Sequence, residues 1–256
     1  MTVRILALVK RVPATGGRIN LAADGRSIDT AYLGFVVSPH EECAVEEAVR
    51  LAESNGGETV VQTLGPAEGV DQLRDALAIG IDRAVHLETD GADWDPVATA
   101  AAITDAVRGL EAVDGPFDLI LVGNESADSG GYQVGIRLAV ALNRPVLSGV
   151  KALEVSDGVA TARRQAPGGW EVYNVPLPAV VGVREGINLP RYPSVPGRLR
   201  AKRKGIERIV PERRPGGPEM IRLTLPVEQM QEVEILGRGP DAAPRVVDVL
   251  REIGVL

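Results

Sequence analysis

The stretch Val-Arg-Ile-Leu-Ala-Leu-Val at residues 3–9 decides the fold class of this 256-residue chain. Six of its seven residues are apolar, and such a run is typical of a strand buried on both faces of a parallel sheet. Three similar strands are predicted at residues 59–64, 83–87 and 117–122. A helical pattern follows each strand, so the sequence predicts a doubly wound, mainly parallel α/β sheet with helices on both faces and right-handed crossovers.

The predicted helices begin at recognisable capping residues. Ser38 is expected to cap the first helix, with Pro39 at its first position and two glutamates in its first turn. Apolar spacing predicts further helices at residues 70–79, from 96 to about 110, and from about 131 to 142.

The pattern changes after residue 145. Alternating segments between residues 150 and 176 predict an antiparallel meander with turns at Asp157-Gly158 and Gly168-Gly169. The apolar run at 179–183 is expected to return to the sheet. We therefore expect residues 1–190 to form one α/β domain that includes the meander.

Prolines recur from residue 190 onward, which favours an extended arm over a packed layer. Residues 191–256 are thus predicted to be a basic, proline-rich segment followed by a C-terminal arm, with late helices at 225–233 and 243–253. Residues 191–214 hold nine Arg and Lys against two Glu, although the whole chain has a net charge of −7. Such a strip can steer a partner, or it can be a solvated linker.

Composition excludes several classes of protein. An acidic body disfavours nucleic-acid binding, and no apolar run reaches the ~18 residues of a membrane-spanning helix. One cysteine and two histidines exclude a disulfide and a metal centre built on cysteine pairs or histidine clusters. The chain starts without a recognisable leader, so we expect a cytoplasmic protein. A compact monomer of this mass leaves about 11,000 Å² exposed.

Candidate binding residues follow from the topology, because ligands of such sheets lie beyond the carboxyl ends of the strands. Three segments end there: residues 8–11, 64–66 and 123–135. The last combines glycines with a helix N-terminus, which can hold an anion, while Glu125 or Asp128 can bind a ribose hydroxyl. The alternative is an ordinary glycine-rich loop that caps a helix. Neither a P-loop nor a GxGxxG fingerprint is present.

Catalytic candidates are few. Cys43 is predicted to be a small buried thiol, His86 a partly buried strand residue, and Trp170 a packing residue. His40 lies at a helix start, where a surface position or a ligand contact is expected. Without an acid, base or nucleophile set, the chain is interpreted as a carrier or binding subunit rather than a stand-alone catalyst.

The order of motifs over about residues 3–210 resembles the β subunits of electron transfer flavoproteins. The motifs that carry this resemblance are Leu8-Val9-Lys10-Arg11-Val12, Cys43-Ala44-Val45-Glu46-Glu47-Ala48-Val49-Arg50-Leu51, Leu77-Ala78-Ile79-Gly80-Ile81-Asp82-Arg83-Ala84, Asp118-Leu119-Ile120-Leu121-Val122-Gly123, Asp128 with Gln133-Val134-Gly135, Leu177-Pro178-Ala179-Val180-Val181, and Asn188-Leu189-Pro190-Arg191-Tyr192-Pro193-Ser194-Val195-Pro196-Gly197.

The abundance of Arg, Ala, Gly and Pro indicates a bacterial source. The resemblance implies an electron carrier of the adenine-nucleotide-binding fold type, in which residues 191–256 dock a partner and contact an α subunit. It implies a heterodimer with an electron transfer flavoprotein α subunit, which holds most of a shared FAD. It also implies electron transfer from flavin-dependent dehydrogenases to a quinone-linked oxidoreductase, and a bound AMP, or a second FAD in electron-bifurcating members. A stand-alone adenine-nucleotide sensor of related fold is the alternative, which would have no need of a docking segment.

The family's functional positions carry over residue by residue. The nucleotide contacts fall on Leu8, Ser38, Pro39, His40, Glu41, Leu64, Gly123, Asn124, Glu125, Ser126, Ala127, Asp128, Ser129, Gly130, Gly131, Tyr132, Gln133 and Val134. The docking segment falls on residues 188–200 with Val195 as its apolar anchor, and the predicted docking residues are Val195, Arg191, Arg200, Lys202 and Arg203.

This chain departs from the family pattern at several positions, including an acidic triplet reduced to Asp128-Ser129-Gly130, Thr15 in place of an aromatic residue and Gln165 in place of an acidic one. Where the family usually has Asn-Pro-Phe-Asp/Glu, the chain has Ser38-Pro39-His40-Glu41. Asn124 replaces a Lys or Arg, and the anchor Val195 is often Leu in relatives. These differences make the identity of the nucleotide and its affinity the least determined properties.

Overall fold

The computed structural model describes residues 2–14, 16, 19–226 and 234–256. The strands are β1 (Val3–Val9), β2 (Val12–Pro13), β3 (Phe35–Val36), β4 (Gly57–Gly65), β5 (Arg83–Glu88), β6 (Leu119–Gly123), β7 (Val146–Ser156), β8 (Val159–Ala166), β9 (Gly169–Pro176), β10 (Ala179–Val183) and β11 (Glu207–Ile209). The helices are α1 (Pro39–Asn55), α2 (Val70–Ile79), α3 (Pro96–Asp114), α4 (Val134–Leu142), α5 (Val195–Arg203) and α6 (Ala243–Glu252).

The main sheet has nine strands in the order β11-β5-β4-β1-β6-β10-β7-β8-β9. The strands from β11 to β7 run parallel, and β8 and β9 are antiparallel. The chain winds from β1 through β4 to β5, then crosses by α3 to β6 on the other side of β1. The predicted doubly wound fold is confirmed, and its winding reverses between β4 and β6.

The two sides of β1 face two different cores. Ile5 and Ala7 join the cluster under α1 and α2, whereas Leu6 and Leu8 join the cluster under α3 and α4. Side chains alternate along a strand, so an apolar residue at nearly every position of β1 buries surface on both faces of the sheet.

Local capping signals place the helix starts correctly. Helix α1 begins at Pro39 after Ser38, and Asp95 caps α3 by accepting from the backbone N–H groups of Val97 and Ala98 at 2.8 and 3.0 Å. Helix α4 begins three residues later than predicted. The backbone of Gly130 and Tyr132 adopts positive φ, each at 53°, so these residues belong to the preceding loop.

The predicted meander is confirmed, but it is not a separate unit. Strand β7 pairs antiparallel with β8 and parallel with β10, which joins the meander to the sheet. Trp170 lies on the edge strand β9 and is 58% exposed. Its predicted packing role is therefore wrong, because the described residues place no second layer over that part of β9.

The chain after Pro190 is less extended than predicted. Ser194 caps α5 by accepting from the N–H of Gly197, and Pro196 occupies the first turn, where a helix needs no N–H donor. Strand β11 then joins the sheet beside β5. Prolines in this segment start a helix rather than prevent one, and the extended conformation begins only after β11.

The C-terminal arm, residues 210–256, leaves much apolar surface exposed. The total accessible surface is 15,102 Å², well above the value of a compact monomer of this mass. Helix α6 matches the second predicted late helix, whereas most of the first lies outside the described residues. Exposed large apolar side chains in the arm are Val210, Met220, Ile221, Leu225, Ile235, Val246, Ile253, Val255 and Leu256. Among the described residues, no helix is long and apolar enough to span a membrane.

Candidate functional site

A cleft of about 220 Å³ opens at the carboxyl ends of β1, β4 and β6, where the winding reverses. Open α/β sheets bind ligands at this position. Twelve of the predicted nucleotide residues line it: Leu8, Glu41, Leu64, Gly123, Asn124, Glu125, Ser126, Ser129, Gly131, Tyr132, Gln133 and Val134. The other six, Ser38, Pro39, His40, Ala127, Asp128 and Gly130, are adjacent in sequence but do not line the cleft.

Sequence reasoning missed part of the cleft wall. Residues after β5, from Thr89 to Trp94 with the exception of Asp90, line the cleft, and so do Ser148 and Gly182. Ligands are expected beyond the carboxyl ends of the strands, and applying this expectation to β5 as well would have identified the residues after β5. Ser148 and Gly182 come from β7 and β10, whose positions in the sheet the sequence pattern does not specify.

The start of α4 packs tightly under the cleft because of Gly135. A Cβ atom on this residue would lie 2.8 Å from Cγ2 of Val122. The side chain of Gln133 does not cap the helix, and its amide oxygen instead accepts from Nε and Nη2 of Arg137. The N-terminal N–H groups of α4 and the positive end of its dipole therefore remain available for an anion in the cleft.

The loop between β6 and α4 is held by its own polar contacts. Its backbone is closed by a bond from the N–H of Gly130 to the carbonyl of Ser126 at 3.0 Å. The carboxylate of Asp128 pairs with Nζ of Lys10. Burial raises the pKa of Asp128, but the Lys10 charge and hydrogen bonds outweigh it, so the pKa lies below its usual value. Glu125 lines the cleft and Asp128 does not, so Glu125 is the better placed acceptor for a ribose hydroxyl.

Glu41 lies buried at the base of the cleft. Its Oε2 accepts from the backbone N–H of Lys10 at 3.1 Å and of Ser38 at 3.4 Å, and its Cγ would lie 2.5 Å from a Cβ on Gly123. Burial raises the pKa of Glu41 to about 8, against the opposing effect of these hydrogen bonds and the Lys10 charge. At neutral pH the carboxyl is therefore mostly protonated and repels an anion little.

His40 braces the cleft rather than lining it. Its Nδ1 accepts from the backbone N–H of Glu185 at 2.7 Å, and its Nε2 lies 3.4 Å from Oε1 of Glu125. An accepting Nδ1 places the proton of a neutral ring on Nε2, facing the carboxylate. Tyr132 also bonds to Glu125, and this contact raises the pKa of its hydroxyl. His40 thus links the β6–α4 loop to the end of β10.

Four of the five predicted docking residues are exposed on α5. Val195 is 73% exposed at the first position of the helix, and Arg200, Lys202 and Arg203 occupy its last turn. Three further apolar side chains extend the exposed patch, namely Leu189, Tyr192 and Leu199. Arg191 differs from the other four because it is engaged in ion pairs with α1.

Comparison with known proteins identifies the family. The family model of the electron transfer flavoprotein domain matches residues 27–213. The chain belongs to the electron transfer flavoprotein family. It is 37% identical over 207 residues to the electron transfer flavoprotein subunit beta of Syntrophomonas wolfei, covering 80% of this chain and 79% of that protein. It is 35% identical to the Bacillus subtilis subunit beta, with coverages of 80% and 78%. The mitochondrial subunit beta of Oryza sativa subsp. japonica is 35% identical, with 82% coverage of each chain.

The family match confirms the resemblance found in the motifs. It includes the cleft-lining residues from Glu41 onward and all of α5, and it ends close to the point where the exposed arm begins. The electron transfer flavoprotein domain therefore contains most of the cleft wall and the exposed patch. The arm after residue 213 lies outside the matched domain.

Proposed function

We propose that this chain is the β subunit of a heterodimeric electron transfer flavoprotein. It accepts electrons from flavin-dependent dehydrogenases through an FAD held mainly by the α subunit, and passes them toward a quinone-linked oxidoreductase. The observation that carries the proposal is the similarity to named β subunits over about 80% of the chain. We place the protein in the cytoplasm, where a free thiol such as that of Cys43 stays reduced.

The arm supports assembly with an α subunit. Among the described residues after β11, nine large apolar side chains are exposed, whereas the core of the sheet is buried. Single exposed apolar side chains need no explanation, but this many along one segment are typical of an interaction surface. A partner that covers the arm removes this surface from water. The shared FAD supplies the redox chemistry when bound, and this chain contributes contacts and position.

The cleft is assigned to AMP in preference to a second FAD. This preference follows the family resemblance, since most β subunits of the family bind AMP and only the electron-bifurcating members bind a second FAD. The loop amides and the α4 N-terminus would bind the phosphate, and Glu125 would accept from the ribose. Protonation of Glu41 limits repulsion of the phosphate.

The docking of dehydrogenases is assigned to the exposed patch on and before α5. Val195 would supply an apolar anchor, while Arg200, Lys202 and Arg203 would attract an acidic partner from a distance. Buried apolar anchors act mainly on dissociation, and charges at the rim act mainly on association.

Co-expression with an α subunit tests the whole proposal. We expect the two chains to copurify as a yellow heterodimer that a dehydrogenase reduces, and the chain alone to retain little flavin. Acid release should yield one FAD and one AMP per heterodimer. A chain that binds AMP but never associates with an α subunit would support the sensor alternative. Two FAD and no AMP would overturn the AMP assignment alone.

A further inference from the structure

The side chain of Arg191 is occupied by two carboxylates of α1. Its Nε and Nη2 donate to Glu46 at 3.0 and 2.9 Å, and its Nη1 and Nη2 donate to Glu53 at 2.7 and 3.0 Å. Its backbone N–H also donates to Oε2 of Glu46 at 3.1 Å. The guanidinium fork is thus used in two bidentate contacts, which fix its orientation as well as its position.

Burial makes this contact costly to release. The side chain of Glu46 is only 5% exposed, whereas that of Glu53 is 57% exposed. A buried carboxylate that loses its cation is left uncompensated, which strongly disfavours the open arrangement. The hydrogen bonds that Arg191 donates to Glu53 and Glu46 raise the pKa of Arg191 further above its ordinary value. Arg191 therefore has little capacity left to bind an external partner.

Asn188 fastens the same segment a few residues earlier. Its Nδ2 donates to the carbonyl of Cys43 at 3.0 Å and to Oε2 of Glu47 at 2.9 Å. Both acceptors lie on α1, as do Glu46 and Glu53. Residues 188–191 are thus held against one helix.

The other end of the segment is fastened to α2. Gly197 lies so close to this helix that a Cβ would be 2.3 Å from the carbonyl oxygen of Ala78. Arg74 donates to the carbonyls of Ala201 and Lys204, and Nζ of Lys204 donates to the carbonyl of Ile81 at 2.8 Å. The exposed side chains of the patch lie between two anchored ends.

We propose that Arg191 is a positioning residue, which holds the exposed patch in its docking conformation by binding Glu46 and Glu53 and does not itself contact the dehydrogenase. The inference rests on the proposed docking function. A segment that is already ordered loses less conformational entropy when it binds, so the ion pairs increase affinity without adding a contact.

Two conservative variants separate positioning from direct contact. Arg191→Lys keeps the charge but loses the bidentate geometry, and Glu53→Gln removes the exposed partner without changing Arg191. Arg200→Gln is the matched control, since the described residues give Arg200 no ion pair. Each variant is prepared as the heterodimer with FAD bound. KM and kcat are then measured across ionic strength, with a dehydrogenase that reduces the wild-type heterodimer.

Positioning predicts that Arg191→Lys raises KM for the heterodimer about tenfold, which is the scale of one lost coupled interaction, with kcat unchanged. Glu53→Gln should raise KM about threefold on the same grounds. In both variants KM should depend on ionic strength as it does in the wild type, whereas Arg200→Gln should weaken this dependence. Amide hydrogen exchange at residues 189–194 should become faster in both Arg191→Lys and Glu53→Gln, without any dehydrogenase present.

Direct contact predicts a different pattern. Arg191→Lys would behave as wild type, and Glu53→Gln would lower KM because an acidic side chain near an acidic partner is removed. Either result, or unchanged hydrogen exchange, overturns the inference. Val195→Ala tests the docking site separately. If Val195→Ala leaves KM unchanged while hydrogen exchange becomes faster in Arg191→Lys and Glu53→Gln, the proposed docking site is wrong but the positioning of the segment by Arg191 stands.

Discussion

The cleft and the C-terminal arm differ in whether their side chains find partners within this chain. Glu41 in the cleft, and Asp128 and His40 beside it, each find a partner within the chain. In the arm, side chains such as Ile221, Ile235 and Leu256 are more than two-thirds exposed. The cleft is preorganised by the fold of this chain alone. The arm has the surface of half an interface, which indicates that a second chain completes it.

Removing the arm is the sharpest test of this contrast. We expect deletion of residues 218–256 to abolish copurification with the α subunit while the isolated chain keeps its fold and its AMP site. The reason is that, among the described residues, the buried residues of both core clusters lie at or before Ala201. Size-exclusion chromatography measures assembly with the α subunit, and thermal unfolding measures whether the truncated chain keeps its fold. A truncated chain that still assembles would show that the interface lies elsewhere.

The protonation of Glu41 predicts a pH effect on stability. Its pKa is about 8 in the folded state against an ordinary value of 4.5, so the folded state binds more protons between these values. Stability should therefore fall as pH rises through this window, by roughly 3 kcal/mol between pH 5 and 8 from this group alone.

Urea unfolding at several pH values checks this slope. Glu41→Gln should flatten it, because the amide accepts the same backbone hydrogen bonds without ionising. The exposed Glu68→Gln is the matched control and should leave it unchanged. An identical slope in Glu41→Gln and wild type would mean that Glu41 is ionised in the folded protein.

Gly123 at the end of β6 and Gly131 in the β6–α4 loop test whether the cleft is preorganised. A Cβ on Gly123 would meet Cγ of Glu41 at 2.5 Å, whereas a Cβ on Gly131 has no atom within 4 Å. Gly123→Ala should destabilise the fold by about 1–3 kcal/mol, as overpacking does, and weaken AMP binding. Gly131→Ala has room for the added methyl group, so it should leave the stability of the fold unchanged. Denaturant unfolding measures the stability of both variants, and titration measures their affinity for AMP. An equal loss of stability in the two variants would contradict a tightly packed cleft base.

The smallest expected effect concerns the exposed patch. Val195→Ala should weaken coupling to the dehydrogenase by about 1 kcal/mol, the scale of one to two buried methyl groups. Exchanging Arg200, Lys202 and Arg203 for Gln should instead lower the association rate and flatten its salt dependence. Stopped-flow electron transfer across ionic strength distinguishes the two, and neither change should release flavin. Unchanged rates in both variants would remove α5 from the docking surface.

Local sequence determined much of the fold and part of the cleft. Helix α2 has the predicted bounds, and α1 and α3 begin at the predicted capping positions. Periodicity and capping involve residues within a few positions of one another, so the sequence reports them directly. The strand-end rule then located most of the cleft, because strands in a parallel sheet present their carboxyl ends on one edge.

Other features depend on residues far apart in the chain. The pairing of Arg191 with Glu46 joins positions 145 residues apart, and no local pattern distinguishes Arg191 from its basic neighbours. The pairing of β11 with β5 and the exposure of Trp170 likewise follow from which strands become neighbours and which lie at the edge. The sequence alone determined most elements of the parallel sheet and the edge of the sheet at which the cleft opens. Only the tertiary structure decided which charges are already paired, because ion pairing depends on distances that arise once the helices pack.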